Sequence, residues 1–472
     1  MHPGTARRAA ALRGPIVGQY ARSMQHAAPP PSGPAPDWRA PAASGPVRAR
    51  VRPPGSKSVT NRALVLASLG PGPCTIANPL RARDTQLMAG ALRALGAVID
   101  EASPGAEPVT WRVTPGRAGG RAVVDVGNAG TVLRFVPPVA ALAAGDVEFR
   151  GDARASKRPV GPLLAALRAL GAVIDDEDRG AVPFVVRGRG GIGGGTVTLD
   201  ASGSSQLVSG LLLAAPRYDK GAEVCHQGPR IPSAPHIAMT VQMLRDAGAH
   251  VESWSAAGDT AAPDRWRVHP GGLRPAAVVV EPDLSNAAPF LAAALVTGGS
   301  VTIAGWPRRT LQPAGQILDV LTRMGAGCSQ AADGLRVTGT GRVRGITADL
   351  ADVSEIVPVL AALAALADSP SVFTGIGHMR THESDRLAAL AAEIGALGGD
   401  VAERADGLEI RPRPLRADGA VFASHDDHRL VMAAAVLGLA LPGGLPVGNA
   451  ATVGKTFPAF TRAWSAMLER SP

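Results

Sequence analysis

Seven basic side chains, Lys57, Arg62, Arg134, Arg158, Arg386, Arg429 and Lys455, fall in short segments that combine a cation with glycines, hydroxyls or a helix start. That combination holds phosphates and carboxylates. In PPGSKSVTNRALVLASL (53–69), Lys57, Ser58 and unpaired backbone N–H groups converge at the start of an apolar helix, with Arg62 about one and a half turns further on. Gly55 and Lys57 stand too close together for the nucleotide P-loop, which needs GxxxxGK[ST]. In VGNAGTVLRFVPPVAAL (126–142), glycines bracket Asn128 and Ala129, and Arg134 follows one turn after Gly130, a backbone nest backed by a cation. Arg158 precedes Pro159, which restricts its backbone and fixes the direction of its guanidinium. Ser204, Ser205 and Gln206 precede one helix and Ser233 another, where hydroxyls are first of all N-caps. Each of these segments alone also reads as a capped helix, a tight turn or a solvated basic loop.

Acids join the cations in the second half. Glu355 opens an otherwise apolar helix in ADVSEIVPVLAAL (351–363), a placement that suits either the helix dipole or a general base. GHMRTHESDRLAAL (377–390) packs His378, His382, Glu383, Asp385 and Arg386 ahead of an apolar run. The two histidines lack the HExxH zincin pattern and a third ligand, so no metal is expected. SHDDHRLVMAAAV and TVGKTFPAF add Asp427, His428, Arg429 and Lys455. Seven cations around Glu355 and Glu383 point to polyanionic substrates.

These segments are positioned by a repeat. ALRALGAVID occurs identically at 91–100 and 166–175, and weaker copies start at Gln242, Asp319 and Ala392. Each is a helix end, a glycine at the C-cap and an extended run; the glycines are 96, 171, 248, 325 and 398, a period of about 75 residues. A β-rich run follows each copy, at 109–115, 182–188, 265–270, 334–339 and 407–412. A period this long exceeds that of ordinary solenoids and predicts small α+β subdomains packed on one another, six in all if the chain ends complete one. Three per lobe gives two similar lobes with a substrate cleft between them.

Composition narrows the class further. At 46% hydrophobic and 18% charged the chain buries a sizeable core, and the apolar runs Ile356 to Ala367 and Leu430 to Leu441 are too short to span a membrane. The net charge of +9 is uneven: residues 1–50 hold seven arginines against Asp37, so the rest is nearly balanced and no nucleic-acid footprint follows. Residues 1–46 read as a leader outside the fold, without the apolar stretch of a secretory signal. Cys74, Cys225 and Cys328 are dispersed, so neither a disulfide framework nor a thiolate metal site is expected, and a reducing cytoplasm is the expected compartment. A monomer with small-molecule partners is expected, with no nucleic acid or membrane partner.

The ordered set GSKSVTNR, GNAGTVLR, KRPVGPLL, SSQ, Asp283-x-Ser285-x-Ala287, HESDRL, DDHR and KTFP resembles the 5-enolpyruvylshikimate-3-phosphate synthase family from about residue 47 to 468. The resemblance implies a two-lobed inverse α/β barrel of six βαβαββ-like units, three per lobe, with 47–56 plus 276–472 in one lobe and 57–275 in the other. It implies transfer of the enolpyruvyl group of phosphoenolpyruvate to the 5-hydroxyl of 3-phosphoshikimate, without a cofactor, on the way to chorismate and the aromatic amino acids. Carried over residue by residue, Lys57, Ser58, Arg62, Ser204, Ser205, Gln206, Ser233, Glu355 and His382 hold 3-phosphoshikimate. Lys57, Asn128, Gly130, Arg158, Gln206, Arg386, Arg429 and Lys455 hold phosphoenolpyruvate. Glu355 accepts the hydroxyl proton; Glu383, with Lys57 or Lys455, supplies the set from which the methylene proton comes.

The sequence departs from the family pattern at Glu355, where many relatives carry Asp, at His382, where many carry Lys, at His378, where many carry Asn, and at His236, where a Tyr is common. A histidine in place of a lysine predicts an extra ionisation near neutrality. Two rival readings remain at this point. One is the sister transferase acting on UDP-N-acetylglucosamine, expected to carry a reactive loop cysteine that none of the three cysteines matches. The other is a non-catalytic or RNA-end-processing relative on a similar fold, for which only the basic leader argues.

Overall fold

The phrase ALRALGAVID folds alike at both of its sites in the computed structural model of the chain, which describes residues 38–102, 109–117, 119–258 and 262–469. Helix Arg83–Ala94 and helix Gly161–Ala169 each run into a glycine and then a strand, Val98–Glu101 and Val173–Asp175. The five period-marking glycines, 96, 171, 248, 325 and 398, all take the left-handed conformation, with φ of 99°, 106°, 85°, 110° and 87°. A side chain would be strained there, which is why glycine recurs at that point of every unit. The five β-rich runs are strands Thr110–Thr114, Phe184–Arg187, Arg265–Val268, Gly334–Thr338 and Gly407–Arg411.

One unit shows the plan. Strand Ala122–Asp125, helix Gly130–Ala140, strand Asp146–Arg150, helix Gly161–Ala169 and the hairpin strands Val173–Asp175 and Phe184–Arg187 follow in order. The first two strands are parallel, as a helical crossover requires, and the last two are antiparallel to their neighbours. Val147 pairs with Val186 and Phe149 with Phe184, whose rings stack at 4.7 Å, so alternate residues of each strand face one core. Residues 195–268 and 347–411 repeat this order, giving four-stranded sheets with the parallel pair at one edge.

Two units exchange their first strands. Arg48–Val51 pairs in parallel with Ser300–Ala304, although its own chain runs on into helix Lys57–Ser68. Val278–Val279 reciprocates by pairing with Cys74–Ala77. The buried apolar residues accordingly form two clusters, one between Val59 and Val280, the other joining Ala40–Val51 to Leu284–Met467.

The sixth sheet corrects the leader boundary. Trp38–Ala40 lies antiparallel to Leu445–Gly448, which is itself parallel to Phe422–Ala423, and Ala40 is fully buried. Residues 38–46 therefore belong to the fold; the rest of the expected leader, 1–37, lies outside the described residues. The Arg- and Pro-rich composition around this short strand conceals it.

Helices at the centre of each cluster are apolar on every face. Val357–Ala365 and Leu430–Leu437 are entirely buried, and none of the described helices is long and apolar enough to cross a membrane. Close helix approach depends on small residues: a Cβ at Gly210 would meet the Arg134 carbonyl oxygen at 2.1 Å.

Candidate active site

Six helices begin at the junction of the two clusters: Lys57–Ser68, Gly130–Ala140 and Ser205–Ala214 from one, and Leu284–Thr297, Val357–Ala365 and His428–Gly438 from the other. Lys57, Gly130, Ser205, Leu284 and Arg429 from their first turns, with Glu355 just ahead of Val357, line two adjoining cavities. Helix dipoles thus add positive potential from six directions. Oxygen caps fix several of these starts. Ser56 Oγ accepts from Val59 N, Ser204 Oγ from Gln206 N, Asp283 Oδ1 from Asn286 N and Asp427 Oδ1 from Arg429 N.

The larger cavity, about 900 Å³, is lined by Lys57, Ser58, Arg62, Ser204, Ser205, Gln206, Ser233, Glu355, His382 and Arg429, together with His236 and His378. The smaller, about 410 Å³, is lined by Lys57, Gly130, Arg134, Arg158, Gln206, Glu355, His382 and Glu383. Lys57, Thr131, Ser204, Gln206, Glu355 and His382 line both and so mark the boundary between them.

Contacts between the clusters converge on the same place. Lys455 Nζ donates to the Asn128 carbonyl at 2.7 Å and lies 3.2 Å from Glu383 Oε1. Arg158 Nη1 donates to the Asn128 carbonyl at 2.8 Å and lies 3.7 Å from Glu383 Oε1. Arg154 reaches across to the His382 and Arg380 carbonyls, and Ser233 N donates to the Ala351 carbonyl at 2.8 Å.

Arg62 is almost wholly buried, and its guanidinium bonds only neutral acceptors: Thr240 Oγ1 at 2.7 Å, the carbonyls of Ser58 and His236, and Ser209 Oγ. No carboxylate pairs with it among the described residues, and burial pushes its pKa down to about 9. Arg158 Nε and Arg429 Nε are buried donors without a protein acceptor. Such groups are costly unless an anion completes them.

The acids are held ionised. Burial alone would raise Glu355, but Arg429, Arg386 and Lys57 outweigh it and hold its carboxyl well below the usual range. Burial is likewise overridden at Glu383 by Lys455, Arg158 and Arg386. Lys57 is raised above the ordinary lysine value because Asp84, Glu355 and Glu383 outweigh its burial.

His382 behaves otherwise than the sequence predicts. Burial and the Arg386 guanidinium, whose Nη1 lies 3.1 Å from its Nδ1, hold it well below 6.5, so it is neutral through the physiological range. His236 and His378 are pushed down to about 4, chiefly by burial. The expected ionisation near neutrality is therefore absent from the ligand-free site. His382→Gln is expected to leave the shape of the kcat/KM profile between pH 6 and 8 unchanged; loss of an inflection in that range would contradict this assignment.

Most of the residues singled out from the sequence meet here, but not all in one shell. Arg386 lines neither cavity: its Nε donates to Asp427 Oδ2 at 2.7 Å and its Nη2 to Glu383 Oε2 at 3.0 Å, which places it behind Glu383 and His382. Lys455 and Asn128 open instead onto a polar cleft beside the smaller cavity, reached past Glu383. Lys157 is exposed. One carboxylate was not foreseen as a member, and a second, Asp427 of the DDHR segment, takes a supporting place. Asp84 is buried between the lysines, 3.4 Å from Lys57 Nζ and 3.7 Å from Lys455 Nζ, and Asp427 anchors Arg386. In the sequence Asp84 is an ordinary first-turn acid. Ser285 and Asn286, which bond Arg429 at 2.8 and 3.1 Å, carried a signal in the Asp283-x-Ser285-x-Ala287 stretch.

Gly130 is tight on the side of the smaller cavity. A Cβ there would lie 2.6 Å from Arg158 Nη2 and 2.9 Å from Gln206 Oε1. Both are ends of flexible side chains, so Gly130→Ala is expected to fold while displacing them, raising KM for phosphoenolpyruvate about tenfold or more with a smaller change for the other substrate. Steady-state kinetics with each substrate varied would check this, and equal KM values in parent and variant would refute it.

The fold is that of two solved structures of EPSP synthase from Acinetobacter baumannii, with TM-scores of 0.72 and 0.71 at 23% sequence identity, each alignment covering 90% of this chain and 97% of the other. This is the two-lobed inverse α/β architecture. The family model for EPSP synthase (3-phosphoshikimate 1-carboxyvinyltransferase) matches residues 41–464, from just after the first strand into the last helix and through every segment that lines the cavities. The chain belongs to the EPSP synthase family.

Proposed function

We propose that the enolpyruvyl transfer catalysed by this chain, from phosphoenolpyruvate to the 5-hydroxyl of 3-phosphoshikimate, takes place where the two cavities meet. The observation that carries this reading is the shared boundary of Lys57, Thr131, Ser204, Gln206, Glu355 and His382. An acceptor in the larger cavity and a donor in the smaller one react only at that boundary, which is where an acid and a base are needed.

In this reading Arg62, Ser58, Ser204, Ser205 and Ser233 hold the phosphorylated acceptor, the buried and unpaired Arg62 taking an anionic group. Arg158 and Gln206 hold the donor's phosphate and carboxylate from within the smaller cavity, Arg429 faces it from the larger cavity beside Glu355, and Lys455 and Arg386 add positive charge from behind Glu383. Glu355, held as a carboxylate, accepts the 5-hydroxyl proton as the oxygen attacks the donor's C2. Protonated Lys57 delivers a proton to the methylene carbon, and a tetrahedral ketal results. Glu383 is held as a carboxylate by Lys455, Arg158 and Arg386 despite its burial. It suits the second half, accepting a methyl proton as the C2–O bond to phosphate breaks and the enol double bond re-forms. Cations from both lobes offset the charge of two anionic substrates brought together. The chain crosses between lobes at residues 52–56 and 280–283, and we take these crossings as the lobe boundary.

The UDP-sugar transferase reading is not favoured: Cys74 and Cys225 are buried in sheet strands, and no described cysteine lines the cavities. Phosphate release from phosphoenolpyruvate should require 3-phosphoshikimate and not occur with UDP-N-acetylglucosamine. Release only with the sugar nucleotide would overturn the assignment.

A further inference from the structure

On the outer face of one sheet, strands Val251–Trp254 and Arg265–Val268 pair Val251 with Val268 and Glu252 with Arg267. Continued one residue outward, this register sets His250 opposite His269, and the His269 N–H donates to the His250 carbonyl at 3.0 Å. Directly paired residues and residues two apart along a strand share a face. Val251, Trp266 and Val268 point into the core, so His250, Glu252 and His269 stand together on the solvent side.

The two imidazoles stack with centroids 4.2 Å apart and planes 11° from parallel. His269 Nε2 lies 2.5 Å from Glu252 Oε1, and one ligand atom from each of the three residues lies within 4.8 Å of the others. Arg267, paired with Glu252 across the strands, is held by Glu223 at 2.9 Å. The position level with His269 on the neighbouring strand is Gly221, which has no side chain to cover the imidazoles.

We propose that His250, Glu252 and His269 form a surface site for a divalent transition-metal ion of the Zn²⁺, Co²⁺, Ni²⁺ type, with water completing the coordination. Tetrahedral bonds of about 2.0–2.2 Å set ligand atoms roughly 3.4 Å apart, so binding turns the exposed imidazoles out of their stack until their nitrogens converge on the ion. Two imidazole nitrogens select borderline metals over Mg²⁺ and Ca²⁺, which take oxygen ligands. None of the three residues lines either cavity of the transferase site, so the site is separate from it.

The test uses the untagged full-length chain with Zn²⁺ and Ni²⁺ by calorimetry and Co²⁺ by visible absorption. One saturable equivalent is expected, with no heat from Mg²⁺. His269→Ala is expected to weaken binding by about tenfold or more, and His250→Ala combined with His269→Ala to abolish it, while phosphate release from phosphoenolpyruvate stays at the parent rate. Zn²⁺ should raise the Tm of the parent and not of the double variant. Should the double variant be destabilised without metal, Glu252→Gln serves instead and is expected to weaken binding. An isotherm unchanged by these substitutions, or no saturable binding to the parent, overturns the proposal.

Discussion

Replacing Glu355 by glutamine is expected to lower kcat by about 10²–10⁴-fold while KM for 3-phosphoshikimate changes only a few-fold. The glutamine keeps the volume at the boundary of the two cavities while removing the ability to accept a proton, together with the negative charge that faces Arg429 and Lys57. Glu355 is ionised because Arg429, 3.5 Å away, Arg386 and Lys57 outweigh its partial burial. The sign of its pH dependence follows. A group held below the ordinary carboxylate range is fully basic above about pH 5, so loss of activity on acidification through this group begins only below that. Glu355→Asp retains the charge at shorter reach and is expected to fall between the parent and Glu355→Gln. A kcat for Glu355→Gln within tenfold of the parent would remove Glu355 from the proton-accepting role.

Legibility in the sequence follows how local each determinant is. The repeat was readable because each unit ends its helix with a glycine in a conformation that other residues take only under strain, and because the strand follows within two residues. The helix starts that line the cavities were readable because they concentrate their donors within one turn, as at Lys57–Ser58 and Ser204–Gln206. What depends on residues far apart was not. The strand exchange joins Arg48–Val51 to Ser300–Ala304, and no short-range pattern announces that partner. Trp38–Ala40 looks like part of an arginine-rich leader until Leu445–Gly448 pairs with it. Asp84 becomes a site residue only when lysines 57 and 455 close over it. For His382 the residue type was plain, but its ionisation is set by burial and by Arg386, both tertiary facts.

Lys57→Met is expected to have the largest effect of any single change, lowering kcat/KM by at least about 10³-fold, because three functions end together. The ammonium borders both cavities and so touches both substrates in this reading. It compensates Asp84, Glu355 and Glu383, whose carboxylates raise its own pKa despite burial. It also carries the proton assigned to the methylene carbon. Lys57→Arg separates these functions. A guanidinium restores the charge facing the three acids and a contact to anionic oxygens, but it stays protonated in proteins and cannot transfer the proton. Lys57→Arg should therefore recover much of the KM for phosphoenolpyruvate while kcat stays low, and hydrogen–deuterium exchange into the methylene group should slow in step with kcat. Recovery of kcat in Lys57→Arg would move the donor role to Lys455, which lies 3.2 Å from Glu383 on the far side of the smaller cavity and would then have to reach the methylene carbon past that carboxylate.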